Sequence, residues 1–310
     1  MQTSPRIVFM GTPDFAVASL DAILREGYPI AGVITAPDKP AGRGMKLTES
    51  AVKKFSLAHG LPILQPGKLK DPAFLNQLRA LAPDLQVVVA FRMLPEVVWN
   101  LPPMGTINLH GSLLPQYRGA APINWAIING ESETGVTTFR LNHDIDTGDI
   151  LMQERISIGP AETAGDLHDR MKEIGARLLV RTIAGLAAGT LGERPQFNPA
   201  ISKHAPKIFT ETCRIDWTES TTDVYNLIRG LSPFPAAFTE FDGKILKIFQ
   251  AEKEMTDAAV PPGLADTDNR TYLRFATADG WIRITELQME GKKRMKAEDF
   301  LRGYKLGRRQ

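Results

Sequence analysis

The stretch Ile107-Asn108-Leu109-His110-Gly111-Ser112-Leu113-Leu114-Pro115-Gln116-Tyr117-Arg118-Gly119 fixes both a strand end and a cluster of reactive side chains. A short β-rich run, 106–109, stops at turn-forming residues, which puts the end of a strand at His110. Residues i and i+2 of a strand point to one face. The Asn108 amide and the His110 imidazole therefore address the same small volume. Residues 112–119 form a turn-rich rim carrying Pro, Gly and Arg. Two donors aimed at one point, one of them able to shuttle a proton, suit a reaction through a tetrahedral oxyanion. The chemistry to expect is acyl transfer.

Outward from this stretch the pattern alternates. β-rich runs at 7–10, 30–35, 85–89, 106–109 and 135–141 are separated by helical periodicity at 15–25, 50–59, 73–81 and 122–128. Such alternation predicts an α/β fold, a mostly parallel sheet with helices on both faces. Leu167, Met171, Ile174, Leu178 and Ile183 recur at helical spacing and predict a long helix over 164–188, with Thr163 as its N-cap. Ligands of open α/β sheets sit beyond the carboxyl ends of strands, and Asn108 and His110 occupy such an end. Residues 190–208 hold three prolines and no clear period, so they read as a linker. Beyond them come a helix over 221–229 and strand-like runs at 237–241, 245–250, 271–276 and 281–288. Asp242-Gly243 suits a hairpin turn, Pro261-Pro262-Gly263 breaks the pattern, and the strand spacing predicts a small barrel. The expected division is a first domain over 1–189, a linker over 190–208 and a second domain over 209–310.

Bulk properties exclude several classes. With 310 residues, 43% hydrophobic and 23% charged, the chain has the make-up of a soluble two-domain protein. No apolar run approaches the roughly 18 residues of a membrane-crossing helix. Met1-Gln2-Thr3-Ser4-Pro5-Arg6 leads straight into a strand-like run without the regions of a secretion signal, so the expected location is the cytoplasm. A single cysteine, Cys213, excludes an internal disulfide and a cysteine-based zinc site; it reads as a buried spectator. Gly11-Thr12-Pro13 follows the first strand but lacks the later glycines of a dinucleotide fingerprint, so no NAD is expected. Net charge is only +2, yet residues 291–310 hold eight Lys and Arg against two acids. A basic terminus of this kind suits phosphate contacts or forms a solvated tail.

The motif N-x-H-x-S-L-L-P-x-Y-R-G-x-x-P, continued by Ala120-Ala121-Pro122-Ile123-Asn124-Trp125, resembles the signature of folate-dependent formyltransferases. The turn Asp144-Ile145-Asp146-Thr147-Gly148-Asp149 resembles that family's second element, whose Asp-x-Gly carboxylate is catalytic. The resemblance implies a Rossmann-like catalytic domain and a C-terminal barrel like an OB fold. It implies 10-formyltetrahydrofolate as formyl donor, no metal, and catalytic roles for Asn108, His110 and Asp146. In the implied mechanism a neutral acceptor amine attacks the formyl carbon. Asn108 and protonated His110 donate to the oxyanion of a tetrahedral intermediate, and Asp146 assists proton transfer. Ser112, Leu113, Leu114 and Pro115 match the folate-contacting segment. The chain departs from many relatives at Ala90-Phe91, where they carry Tyr-Gly beside the pterin. His143 lies near Asp146 but on no family motif, and is left out of the site.

The acceptor is read from two distant segments. Residues 36–46 form a Pro/Gly-rich loop whose P-A-G-R-G-x-x-L resembles the insertion loop of methionyl-tRNA formyltransferases. That likeness implies tRNA contacts by Arg43, with Lys39 and Lys46 beside it. The ending Gly291-Lys292-Lys293-Arg294-Met295-Lys296-Ala297-Glu298-Asp299-Phe300-Leu301-Arg302-Gly303 is similar to the same family's C-terminus and adds Lys292, Lys293 and Arg294 to the implied contacts. Phe234-Pro235-Ala236-Ala237 resembles its Pro-rich turn. The implied partner is initiator methionyl-tRNA, bound by a monomer. Two rivals remain: a formyltransferase for a nucleotide-linked amino sugar, and a noncatalytic tRNA-binding protein on the same scaffold.

Overall fold

The structure is a computed structural model that describes residues 4–41, 46–197, 202–256 and 260–304. By contacts the chain forms two units, the first made of 1–119, 135–156 and 168–204, the second of 120–134, 157–167 and 205–310.

The first unit is built on a seven-stranded sheet. Its strands are β1 (Ile7–Gly11), β2 (Ile30–Ile34), β3 (Ile63–Leu64), β4 (Leu85–Val89), β5 (Thr106–His110), β6 (Glu133–Arg140) and β7 (Ile150–Ser157). Their spatial order is β7-β6-β5-β4-β1-β2-β3. The β2–β1, β1–β4, β4–β5 and β2–β3 pairs are parallel, and β6 runs antiparallel to β5. The helices are α1 (Asp14–Arg25), α2 (Ala51–Ala58), α3 (Pro72–Ala80), α4 (Glu96–Trp99) and most of α6 (Ala164–Ala187), while α5 (Pro122–Ile128) belongs to the second unit. Every residue of β1 and β4 is buried, as parallel strands with both faces covered require. Val8 and Met10 pack with Phe74, Leu75 and Leu78 of α3, while Ile7 and Phe9 are equally buried on the opposite face.

Local chemistry sets the helix ends. Ser50 accepts from Lys53 N at 3.0 Å, and Asp71 accepts from Ala73 N with Pro72 in the first turn. At α6, Thr163 Oγ1 accepts from Asp166 N, and Asp166 accepts from Thr163 N in return. This reciprocal pair is a capping box with Asp at the third position. Gly175 of α6 lies against β5, where a Cβ would sit 2.8 Å from Leu109 Cδ2. Leu109 thus faces α6, and Asn108 and His110 face the other way. The chain runs outward from β1 to β3 and returns to β4 on the far side of β1. The strand order reverses there, at the switch point where open α/β sheets place ligands.

The second unit carries a curled antiparallel sheet. Its strands are β8 (Ala237–Phe241), β9 (Lys244–Glu254), β10 (Ala265–Thr267), β11 (Leu273–Ala276), β12 (Trp281–Met289) and β13 (Met295–Lys296). The path is β8-β9-β12-β11-β10, with β13 on β12. Asp242 (φ 53°) and Gly243 (φ 70°) close the β8–β9 hairpin with the two positive φ values of a type I′ turn. Register breaks around Gln250 bulge the long β9, and bulges bend a sheet into barrel-like form. Trp217 stacks on Phe275 at 4.7 Å in the core. Helix α7 (Thr221–Leu231) packs on α5, and Gly230 permits the close approach: a Cβ there would be 2.6 Å from Ile128 Cγ1.

Of the features not foreseen, three bear on how the chain is organised. Strand β7 is an edge strand whose centre, Met152-Gln153-Glu154-Arg155, is polar enough to hide the pattern. Within 190–208, Arg194 exchanges backbone hydrogen bonds with Ile150, so this stretch is tied to the sheet. The basic ending is docked through α8 (Ala297–Gly303), which buries Ala297, Phe300 and Leu301. Among the described residues no helix is long and apolar enough to cross a membrane.

Candidate functional site

Asn108 and His110 lie on an interior strand rather than a loop. Asn108 pairs with Val88 of β4 and Phe139 of β6, and His110 with Thr137. A strand bonded on both sides holds its side chains more tightly than a loop does. His110 is buried, with the Phe139 ring edge-on at 6.5 Å. Its Nε2 donates to the Tyr117 carbonyl at 2.8 Å, which leaves Nδ1 turned toward Asp146 Oδ2 at 3.7 Å. That separation is longer than a direct hydrogen bond but within reach of an ion pair. Only a ring with a proton on each nitrogen has a donor for both acceptors.

Asp146 reaches the histidine from the turn between β6 and β7. Its Oδ2 accepts from Gly119 N at 3.0 Å, and its backbone is left-handed at φ 54°. Two residues on, Gly148 has no alternative: a Cβ there would sit 1.7 Å from the Arg140 carbonyl oxygen. The Asp-x-Gly pattern is thus a steric requirement of the turn that presents the carboxylate. The Gln196 amide spans the same turn, donating to Asp146 O at 3.0 Å and Gly148 O at 2.7 Å. Its Oε1 accepts from Arg118 Nε at 3.2 Å and Nη2 at 2.7 Å.

The rim is held by a second network. Thr137 Oγ1 donates to Ser112 O at 2.6 Å and accepts from Leu114 N and Gln153 Nε2, each at 3.1 Å. Gln153 Nε2 also reaches Leu114 O at 2.9 Å. Ser112 Oγ donates to Gln116 O at 2.6 Å. Ser112 and Leu114 are turned into the protein, while Leu113 and Pro115 are half-buried. Ala90 is exposed at φ 47°, and Phe91 is half-buried under the Arg92 guanidinium. His143 is exposed, edge-on to Trp99 and 3.6 Å from Glu96.

One buried atom bears on a ligand. Asn108 Oδ1 has no hydrogen-bond partner among the described residues. Buried polar atoms rarely go without one. Asn108 as a residue is only half-buried, so with Oδ1 closed off it is the amide NH₂ that can meet a carbonyl-type oxygen of a bound formyl donor. The donor set therefore fits such a group. Among the described residues no three His, Cys, Asp or Glu side chains gather as a metal site.

The residues expected to meet tRNA come from both units. Lys39, Lys292 and Lys293 are exposed. Arg294 is bidentate to Glu286 at 2.8 and 2.5 Å and lies over the Phe249 ring. Arg43 and the Lys46 side chain fall outside the described residues. At the root of this loop Lys53 donates to Asp38 at 2.5 Å and reaches Glu49 at 3.1 Å, while Gln65 bonds the other Asp38 oxygen. The hydrogen bonds from Lys53 and then Gln65 hold the Asp38 carboxyl below its ordinary range, and those to Asp38 and Glu49 raise Lys53.

Thr137, Gln153 and Gln196 were not foreseen as part of the site. Thr137 and Gln153 face it from neighbouring strands, where pairing decides their partners. Gln196 lies in a stretch without periodicity, and no local signal in the sequence singles it out.

A sequence profile described as "Formyl transferase" matches residues 5–183, and one described as "Formyl transferase, C-terminal domain" matches 207–305. The methionyl-tRNA formyltransferase of Bacteroides fragilis is 52% identical over 309 residues, spanning 97% of this chain and 95% of that one. That of Parabacteroides distasonis is 54% identical over 310 residues, spanning 97% and 96%. Among solved structures, the sugar 3N-formyl transferase WlaRD, determined with dTDP and 5-N-formyl-THF, aligns with a TM-score of 0.68 at 20% identity. That alignment covers 94% of this chain and all of WlaRD. HypX from Aquifex aeolicus, in complex with tetrahydrofolic acid, aligns with a TM-score of 0.67 at 19% identity, over 96% of this chain and 47% of HypX.

Proposed function

We infer that this chain, which belongs to the formyl transferase family, transfers the formyl group of 10-formyltetrahydrofolate to the amino group of methionyl initiator tRNA. The observation that carries the acceptor is near-full-length identity of about half with methionyl-tRNA formyltransferases, both family segments included. The likeness to a sugar formyltransferase is a likeness of fold at 20% identity and does not favour that rival. The retained Asn108, His110 and Asp146 weigh against a noncatalytic binder.

The folate, when bound, supplies an activated formyl carbon; the chain supplies donors and a proton path. Asn108 donates an amide N–H to the oxygen on which charge develops. His110 turns a second N–H from the Tyr117 carbonyl to the same oxygen, as a cation stabilised by Asp146. Donors matter here because they bond the developing oxyanion more strongly than the starting carbonyl; losing one costs about 10²–10³ in rate. Asp146 closes on Nδ1 as the site fills and carries the acceptor's proton toward the departing nitrogen. Leu113 and Pro115 offer the folate its contact surface on the rim, with Ser112 and Leu114 setting the backbone beneath. Lys39, Arg43, Lys46, Lys292 and Lys293 neutralise tRNA phosphates. Arg294, next to Lys293 in the chain, is paired with Glu286. The activity belongs to translation in the cytoplasm, performed by residues 1–189, with 209–310 binding tRNA across the 190–208 segment.

The purified protein is to be mixed with 10-formyltetrahydrofolate and methionine-charged initiator tRNA, with charged elongator tRNA as control. Selective formation of formyl-methionyl initiator tRNA is expected. Folate binding without tRNA formylation would refute the acceptor, and His110→Ala with undiminished turnover would refute the mechanism.

A further inference from the structure

We propose that Gln196 is the positioning residue of the site, acting on the reaction through the backbone of the Asp146 turn; the inference rests on the catalytic reading of Asp146. The Gln196 amide uses its full bonding capacity: two N–H donations, to Asp146 O and Gly148 O, and two N–H acceptances from Arg118 at Oε1. The orientation is dictated by the partners, because the flipped amide would set oxygen against two carbonyls and NH₂ against a guanidinium. Arg118 and Gly119 are adjacent, and Gly119 N is the donor that holds Asp146 Oδ2. Gln196 therefore ties together the two backbone segments whose spacing sets where the carboxylate points. Asp146 needs such a tie, since a non-glycine residue at φ 54° is held there by its surroundings. Gln196 touches neither His110 nor Asp146 Oδ2; its influence passes through main-chain carbonyls.

A purely structural brace and a positioning residue predict different kinetics. A brace that merely tethers Arg118 is served equally well by glutamate, which accepts from a guanidinium more strongly than an amide does. Glutamate, however, cannot donate to the two carbonyls of the Asp146 turn. Gln196→Ala and Gln196→Glu, each in the full chain, are compared with Asp146→Asn and with the Asp146→Asn/Gln196→Ala pair. The assay is formylation of methionyl initiator tRNA under saturating and limiting concentrations of each substrate.

Both Gln196 variants are expected to lower kcat about 10²-fold, the scale of a roughly 1 Å misplacement. KM for each substrate should stay within about threefold, as for a group that acts only toward the transition state. The paired variant should lose little more than Asp146→Asn alone, because the two act as one unit. Gln196→Glu with near-normal kcat, or full additivity in the pair, would overturn the inference. So would unfolding of both Gln196 variants, which would make the residue a support of the whole unit. Asp146→Asn with normal turnover would instead overturn the role of Asp146 itself, an outcome separable from any result at position 196.

Discussion

Replacing Thr137 by valine keeps its volume and removes one oxygen, and that oxygen joins three parts of the site. Thr137 is fully buried and its Oγ1 serves Ser112 O, Leu114 N and Gln153 Nε2. Gln153 retains Leu114 O, so two backbone groups lose their partner. At about 1–3 kcal/mol for each buried group left unpaired, a loss of about 3 kcal/mol is expected. For a unit of this size, about 2–4 °C per kcal/mol converts it to a fall of about 6–12 °C in Tm. Thr137→Ser is the counterpart: it keeps the oxygen and loses a methyl group, worth about 1 kcal/mol or about 2–4 °C. Burial of apolar surface alone ranks valine as the milder change; the hydrogen-bond network ranks it as the harsher. Calorimetry of the two variants decides between them. A valine variant as stable as the serine variant would show that the rim does not depend on Thr137 Oγ1.

Gly148→Ala should give a chain destabilised by more than about 3 kcal/mol, since its Cβ would overlap the Arg140 carbonyl and only backbone movement relieves it; an unchanged melt would refute the close approach. Lys292→Ala with Lys293→Ala should reduce the slope of log affinity for tRNA against log salt by about 1.5, at roughly 0.7–0.9 per phosphate contact. An unaltered slope would remove both from the interface. The Tyr304 hydroxyl donates to the Asp242 carboxylate, and that bond, helped by desolvation and the nearby charge, pushes its pKa up to about 12 from 10.0. The folded state holds this proton more tightly, so the contribution to stability is complete below pH 10 and disappears as pH rises from about 10 to 12. Wild type and Tyr304→Phe should therefore differ in Tm at neutral pH and converge near pH 12; a constant difference would place the effect elsewhere.

The core sheet was legible because its interior strands are short Ile/Val runs bounded by turn residues, and buried parallel strands have few other ways to look. Strand β7 was not, because an edge strand tolerates Gln, Glu and Arg in its middle. The turn Asp242-Gly243 was legible because two positive φ values in succession select such residues. In the site, Asn108 and His110 could be placed on one face from spacing alone. The approach of Asp146, by contrast, depends on a turn 36 positions later in the chain than His110, and its partner Gln196 on another. Such meetings are set by tertiary packing, which a local pattern does not encode. The basic ending misled in one respect: charge draws attention to solvent, while Phe300 and Leu301 spaced among the lysines and arginines anchor it.

The pairing of α5 with α7 has a consequence for dissection of the protein. Helix α5 precedes the last two strands of the seven-stranded sheet in the chain, yet it packs against a helix nearly a hundred residues later. A fragment begun at 209 would present the Gly230 face of α7 bare, with the seat of Ile128 and Asn124 vacant. Two-piece expression cut in the proline-bearing stretch should thus yield sticky, poorly soluble halves. Complementation would require the first piece to deliver α5 to the second, so recovery of solubility on mixing becomes a direct reporter of that helix's docking.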